Sequence, residues 1–581
     1  MASLEEKRHT LAHLLAAAVA ERYPHAKATI GPAIDTGFYY DFDFTGGDAP
    51  KEADLAALEE AMRDLLPSWN QMSGTEVSEA DARDRFSGNA YKLELIDGIT
   101  ESKEPITLYT AGNFTDLCRG GHCENPAHDI KPDSFKLERI AGAYWRGDET
   151  KPMLTRLYGL AFETKDDLDA YLANREEMEK RDHRRIGKDM GLWTFSDLVG
   201  AGLPLFTPKG TVIRNALFNT LLEISARYDM EPVTIPHMAK RRLYEISGHA
   251  DKFGDELLTV TSHYDEFVLK PVNCPHHTQI YAAEPRSYRD LPLRLMESTM
   301  QYRDERPGEI GGLTRVRAIT VDDGHIFCRI DQVEEEAKNI AEIIKEFYSG
   351  LGMWGNHWVS LSVRDPEHLE KYIGDEEGWT QAEAMLKNVS DAMGLDAKRM
   401  EGEAALYGPK LDFMFTDALG RERQLATIQI DFAMPKRFAL EYTDQEGKKS
   451  TPVMIHRAIL GSYERFMAIL IEHYAGAFPA WLAPVQVRVL PVSDKHTDYA
   501  REVRKQLKAA GLRVDIDDAN ESLGKKLRNA KGEKLPYLLV VGDKEIEDGT
   551  VTVEVRSGEK WGAMSTADFI AKLIEEVRDR K

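Results

Sequence analysis

From Thr164 to Lys188 the chain reads TKDDLDAYLANREEMEKRDHRRIGK, a helical stretch with charge around its whole circumference. Such a helix has no apolar stripe to bury in a core, so the pattern predicts a connector between domains. A second interruption, FPAWLAPVQ, sets Pro479 and Pro484 directly behind a helical pattern and ends it. The 581 residues therefore divide into segments 1–163, 164–188, 189–480 and 481–581. One domain usually holds about 100–200 residues, so a chain of this length is expected to be multidomain.

Composition narrows the class. A hydrophobic share of 42% with a charged share of 30% is that of a soluble globular protein, and no apolar run is long enough to span a bilayer. The opening MASLEEKRHTLAHLLAAAVAERYPH has acidic residues ahead of its apolar stretch and a helical period, which predicts a domain's first helix and not a secretory signal. Four cysteines, none in a CxxC pair, cannot staple so long a chain and fit a reducing compartment, so the expected location is cytoplasmic. The net charge of -23 argues against a polyanion partner. Two local runs oppose it: Lys180-Arg181-Asp182-His183-Arg184-Arg185 with Lys188, and Lys525-Lys526-Leu527-Arg528 with Lys531 and Lys534. Taken alone, each run is a solvated helix face.

The N-terminal segment mixes helices with short strands such as Thr29–Pro32 and Gly37–Tyr40, which predicts an α+β domain. In the large segment the pattern predicts helices over 211–228, 331–350 and 456–475, and strands over 267–272, 411–416 and 426–432. Beyond Pro484, VQVRVLPV, LRVDIDD, YLLVVG and VTVEVR alternate with helices at 497–510 and near 523–530, the signature of a small α/β domain.

On the first helix His9 and His13 stand four apart and share one face. Later comes Cys118-Arg119-Gly120-Gly121-His122, a second Cys/His pair in a glycine-bearing loop able to close on the first. Cys123 and His128 leave a structural zinc site as the alternative.

The strings HTLAHLLAAAV, IGPAIDTGFYYDF, DLCRGGH and AGAYWRGD resemble the second N-terminal domain of bacterial-type threonyl-tRNA synthetases. That resemblance implies an editing domain that hydrolyses mischarged seryl-tRNA, with His9, His13, Cys118 and His122 at its HxxxH and CxxxH positions. The chemistry suits these groups: an aminoacyl ester is already activated, and an oriented water with a proton acceptor near neutral pH is enough. Most bacterial members carry a small ubiquitin-like domain ahead of this one, and none is expected within these 581 residues.

The large segment resembles the class II synthetase core, an antiparallel sheet flanked by helices. MQYRDERPGEIGGLTRVRAITVDDGHIFC is similar to motif two, GSYERF to motif three and RYDMEPVTIPHM, with Pro236, to motif one at a homodimer interface. By that match Arg303 clamps the α-phosphate of ATP in a planar, bidentate grip, and Glu305 accepts from the adenine amino group. Arg315 reaches the outer phosphates and Arg465 caps the nucleotide. Aminoacyl transfer builds negative charge at the α-phosphate, and preorganised cations such as Arg303 and Arg465 lower that barrier most. Magnesium accompanies ATP in the family.

Cys274 in KPVNCPHH, His325 in DDGHIFC and His456 in VMIHRAIL match the family's three zinc ligands one for one, implying one Zn2+ per subunit. Three protein ligands leave zinc an open position, the mark of a working site. Threonine's amino and hydroxyl groups could take it, and Asp323 is placed to accept from the same hydroxyl. An apolar pocket separates near-isosteres such as valine and threonine by only about 100-fold, which explains the use of a hydroxyl reader. Serine keeps the hydroxyl and leaks through, which explains an editing domain on the same chain. Further family positions fall on Tyr407, Lys410, Gln424 and Gln429, contacts for threonine and the adenylate. The family usually has Gln two residues before Asp323, where this chain has Val321.

The last segment resembles the α/β anticodon-binding domain of threonyl, prolyl, histidyl and glycyl synthetases. Asn520, Lys534 and Glu545 match base-reading positions, Lys525 and Arg528 would steer phosphates, and Glu554 stands where the family has Arg. The implied partners are tRNA(Thr), threonine and ATP, with no membrane. Three rival readings compete. A prolyl-type synthetase has no use for the zinc set, an RNA-binding regulator has no need of the four ATP-site residues, and a metallohydrolase acting through the N-terminal cluster leaves most of the chain unexplained.

Overall fold

The computed structural model describes residues 2–581 apart from 103, 149–150, 306–309 and 418–419. The chain separates into two compact units, Met1–Glu177 and Met178–Lys581. No helix among the described residues is long and apolar enough to cross a membrane.

In the first unit, the helix Leu4–Arg22 starts at Ser3, whose hydroxyl caps Glu6 while the Glu6 carboxylate returns to the Ser3 backbone. Every residue from Thr10 to Val19 is buried, and the alanines among them let the surrounding elements approach closely. An antiparallel sheet runs in the order Lys27–Ala28, Gly37–Asp43, Met153–Ala161, Phe135–Tyr144. Thr29–Pro32, expected as a strand, instead falls between Lys27–Ala28 and Ala33–Ile34, where Pro32 has no N–H for a ladder. A second sheet of Met72–Glu76, Thr107–Ala111 and Phe114–Leu117 delivers the chain to the loop of Cys118.

The connector is two helices. Lys165–Arg181 ends at Asp182, whose carboxylate accepts from the Arg184 N–H and starts His183–Asp189. Its basic run is largely spent within the second unit: Arg181 donates to the carbonyls of Glu472 and His473, and Arg184 pairs with Asp182. His183, buried, bridges Glu472 at 2.8 Å and the Leu313 N–H at 3.3 Å.

The second unit centres on an eight-stranded sheet. Its order is Glu231–Pro232, Leu293–Tyr302, Ala318–Cys328, Val453–Ala458, Glu422–Asp431, Lys410–Thr416, His357–Val363, Lys398–Glu401. All neighbours are antiparallel except at the two edges. Side chains alternate between faces. Ile326, Cys328, Ile428, Ile430, Val453 and Ile455 point into the main core, against the helices Val333–Ser349 and Tyr463–Tyr474. The opposite parity carries polar groups: Glu297, Thr299 and Gln301, then Asp323 and His325, then His456, Gln429 and Lys410 in mutual register.

One expectation fails here. Residues 456–475 are not one helix: Val453–Ala458 is a strand and the helix begins at Tyr463. The strand is buried on both faces, His456 and Arg457 included, so it has no period-two alternation to separate it from a helix. Gly461, at φ 71°, makes the turn between them.

The C-terminal part of this unit has the sheet order Val514–Ile516, Val487–Pro491, Tyr537–Val541, Thr550–Val555, Lys560–Ser565, parallel over the first three strands and antiparallel after. The helices Thr497–Ala509 and Thr566–Arg578 pack on it around Val503, Leu507, Phe569 and Leu573.

Candidate functional site

The strand that corrected the helix expectation also explains how the ligand set meets. His325 and His456 are directly paired across neighbouring antiparallel strands, and Cys274 arrives at the N-terminus of the helix Cys274–Ala282. One potential ligand atom from each of the three lies within 4.8 Å of the others, and all three residues are buried. Their other contacts fix orientation. His456 Nε2 lies 2.9 Å from Asp431 Oδ2, and the Tyr407 ring stacks on His456 at 4.4 Å. His325 Nδ1 lies 2.8 Å from His277 Nδ1, and His277 Nε2 lies 3.9 Å from Glu297. Burial pushes the Cys274 thiol well above its ordinary pKa and His325 well below. A thiol and a His325 ring held neutral by burial, with the far ring nitrogens of His325 and His456 occupied, are a donor set suited to a cation.

Asp323 stands one residue pair away on the same face, its Oδ1 3.6 Å from His325 Nε2. Burial, the largest influence, raises its pKa. Tyr407 donates to Gln429 Oε1 at 2.8 Å. Lys410 and Gln424 meet on Asp412, through Nζ to Oδ2 and Nε2 to Oδ1, each at 2.7 Å. Val321 lies on the Asp323 face, opposite Thr299.

Arg303 follows directly on the strand Leu293–Tyr302 and lies over the Phe253 ring at 5.1 Å. Its Nε is buried without a hydrogen-bond partner, and burial lowers its pKa. Glu305 is buried and accepts from Arg315 Nε at 2.7 Å, so the two residues expected at opposite ends of the nucleotide are here joined to each other. Residues 306–309 of that motif lie outside the described residues. Arg465 is exposed in the first turn of Tyr463–Tyr474, behind the Ser462 cap.

In the first unit His9, His13, Cys118 and His122 also converge, with ligand atoms within 4.8 Å. Cys118 Sγ lies 3.2 Å from His122 Nε2 and 3.5 Å from His9 Nε2. Gly120 and Gly121 both take positive φ, and a side chain at Gly120 would strike the Tyr109 hydroxyl, so the loop needs glycine there. Cys123 and His128 join no such group among the described residues. Beneath the cluster sits a buried charge network. His13 Nδ1 lies 3.2 Å from Asp116 Oδ2, and Lys92 Nζ 2.5 Å from Asp116 Oδ1. Lys92 and Asp116 also meet the Tyr40 hydroxyl. Burial alone would pull His13 down, but Asp116 and Cys118 outweigh it and hold it up at about 9. Burial alone would push the Cys118 thiol up, but His122, His13 and His9 outweigh it and bring it down to about 3.

Sequence reasoning missed Lys92, Asp116, His277, Glu297 and Gln301, none of which stands in a spacing pattern of its own. Asp116, two residues before Cys118, was the nearest to being found.

The base-reading candidates are scattered in their bonding. Lys534 Nζ donates to the Ala475 carbonyl, and Glu545 accepts from the Gly542 N–H and Thr552 Oγ1, while Asn520 is exposed in the loop before Leu523–Gly532. Lys525 pairs with Glu521 at 2.7 Å and Lys531 with Glu554 at 3.3 Å. Lys526 is buried, its Nζ on the Pro491 carbonyl.

Residues 258–474 match the class II core domain of tRNA synthetases (G, H, P, S and T), and residues 486–576 match an anticodon binding domain. Fold and site together define a class II aminoacyl-tRNA synthetase. The chain is similar to a threonine–tRNA ligase of Rubrobacter xylanophilus, 47% identical over 577 residues, 99% of this chain and 89% of that one. A threonine–tRNA ligase of Gloeobacter violaceus is 46% identical, over 99% of this chain and 93% of its own. The crystal structure of the RNA binding domain of threonyl-tRNA synthetase from Cryptosporidium parvum superposes with a TM-score of 0.65 at 35% identity, covering 68% of this chain and 98% of that one. The chain belongs to the threonine–tRNA ligase family.

Proposed function

We propose that the polar face of the large sheet activates threonine with ATP and Mg2+ and transfers it to tRNA(Thr), and that the His/Cys cluster of the first unit removes serine attached in error. The observation that carries the reading is the convergence of Cys274, His325 and His456 beside Asp323 on the strand pair that leads into Arg303.

Cys274, His325 and His456 would hold a zinc ion, which when bound supplies a Lewis-acidic centre for an amino and a hydroxyl group. Asp323 accepts from the threonine hydroxyl. Valine offers none and leaves that buried acceptor unpaired, a penalty far larger than shape alone imposes. Arg303, with its unpartnered buried Nε, neutralises the α-phosphate as charge builds there. Glu305 and Arg315 part from each other to take the adenine amino group and the outer phosphates, and Arg465 closes over the nucleotide. Tyr407, Gln424 and Gln429 complete the lining. In the first unit His13 and Cys118, backed by Asp116 and Lys92, orient water and handle its proton. The chain works as a cytoplasmic homodimer, with Asn520, Lys534 and Glu545 in the anticodon-reading part.

The test is ATP–pyrophosphate exchange with each of the twenty amino acids, alongside zinc content, on the wild type and Cys274→Ala. Exchange that depends on threonine, and loss of both zinc and exchange in the variant, is the expected result. A folded, zinc-loaded wild type that exchanges with no amino acid would overturn the reading.

A further inference from the structure

Val321 interrupts the polar row formed by Asp323 and His325 and has no amide to offer it. On the neighbouring strand, same face, stands Gln301, only 4% exposed. It is opposite Ile319, yet its side chain reaches back along the sheet so that Nε2 lies 3.5 Å from Asp323 Oδ2. Asn273 Nδ2 donates to the same oxygen at 3.1 Å. Buried amide N–H groups and carboxylate oxygens need partners, and here both amide donors find theirs on Asp323 Oδ2. Both amides meet Oδ2, while Oδ1 is the oxygen turned toward His325. A carboxylate pinned by two donors on one oxygen presents the other at a fixed place. Such contacts are often long in a ligand-free site and tighten when the substrate binds.

We infer that Gln301 is a specificity-determining positioning residue: from the neighbouring strand it supplies the amide that Val321 does not, holding Asp323 so that its free oxygen receives the threonine hydroxyl. The inference rests on Asp323 as the hydroxyl acceptor. Gln301 acts through Asp323, so its loss costs threonine and leaves valine, which never used the acceptor, unaffected.

Gln301→Met keeps the length and removes the donor. Calorimetric binding of threonine and valine, zinc content, and KM for threonine and for ATP are measured on the full chain. Threonine binding and its KM are expected to weaken about tenfold, as for one charge-assisted hydrogen bond, with valine binding, ATP KM and zinc unchanged. Adding Val321→Gln to Gln301→Met is expected to recover part of the loss. Equal weakening of threonine and valine, loss of zinc or of ATP affinity, or no change at all makes Gln301 a packing residue and overturns the inference. Asp323→Asn, assayed in parallel, separates the two levels: if it keeps the preference for threonine over valine, the acceptor reading itself falls, and this inference with it.

Discussion

Cys118 and Cys274 each stand among histidines, but the thiol of Cys118 is drawn down to about 3 whereas burial pushes that of Cys274 well above its ordinary value. Around Cys118 three imidazoles outweigh burial, and Asp116, itself neutralised by Lys92, keeps His13 protonated. Around Cys274 burial dominates, the carboxylates of Asp323 and Asp431 oppose a thiolate further, Lys252 offsets them only in part, and His325 is neutral. The same residue types thus make one cluster that favours a thiolate and another that keeps its thiol protonated. Surroundings, not ligand identity, separate the two.

The broadest way to break this comparison is to exchange the damage. Cys274→Ala removes one of the three proposed zinc ligands, and its exchange activity is expected to fall by more than the about 10–100-fold typical of losing a mere supporting contact, with hydrolysis of seryl-tRNA(Thr) intact. His13→Ala is expected to do the reverse, slowing hydrolysis by about 10²-fold or more while zinc content and exchange stay at wild-type levels. Exchange and hydrolysis assayed on both variants decide it. If either variant disables both activities, the sites are not independent in function.

A narrower prediction concerns His277. It occupies the far nitrogen of His325 and leans on Glu297, so it fixes which His325 nitrogen is free. His277→Phe should weaken zinc binding by about 10–100-fold, read by competition with a chelator, without changing ATP KM. Unaltered zinc affinity would mean that His325 is oriented by packing alone.

Legibility in the sequence followed distance along the chain. Motifs whose members lie within a few residues, such as His9 and His13 or the loop from Cys118 to His122, could be read as clusters from spacing. Cys274, His325 and His456 could be proposed as a set only by resemblance, because the strand pairing that unites the two histidines is a tertiary fact. His456 was hidden further, since a buried strand running into a helix has no period to mark the join. Lys92 and Gln301 left no signal: a buried Lys looks like a surface Lys until Asp116 is beside it. Within the basic runs, which read as solvated helix faces, Arg181 and Lys526 instead spend their charge on backbone carbonyls.

The smallest effect is also the sharpest test of how Cys118 and His13 share a proton. His13 is raised from 6.5 to about 9, so its contribution to stability is whole below pH 6.5 and lost as pH climbs through about 9. Cys118 is depressed from 9.0 to about 3, so its contribution is whole above pH 9 and lost as pH falls through about 3. Between pH 6.5 and 9 the folded pair holds one proton, on His13, and the unfolded pair also holds one, on Cys118. The two slopes cancel there, and the pair's contribution rises only from about pH 3 to 6.5. Cys118→Ala leaves His13 with Asp116 but without the thiolate that helps hold it up, so the level stretch should become a decline that starts at pH 6.5 and ends below 9. Hydrogen exchange over Thr10–Val19, corrected for the intrinsic pH dependence of exchange and taken as variant minus wild type, cancels the remaining titrating groups. A difference that does not change with pH across that window would mean that the thiol is protonated in the folded chain, and that Cys118 resembles Cys274 after all.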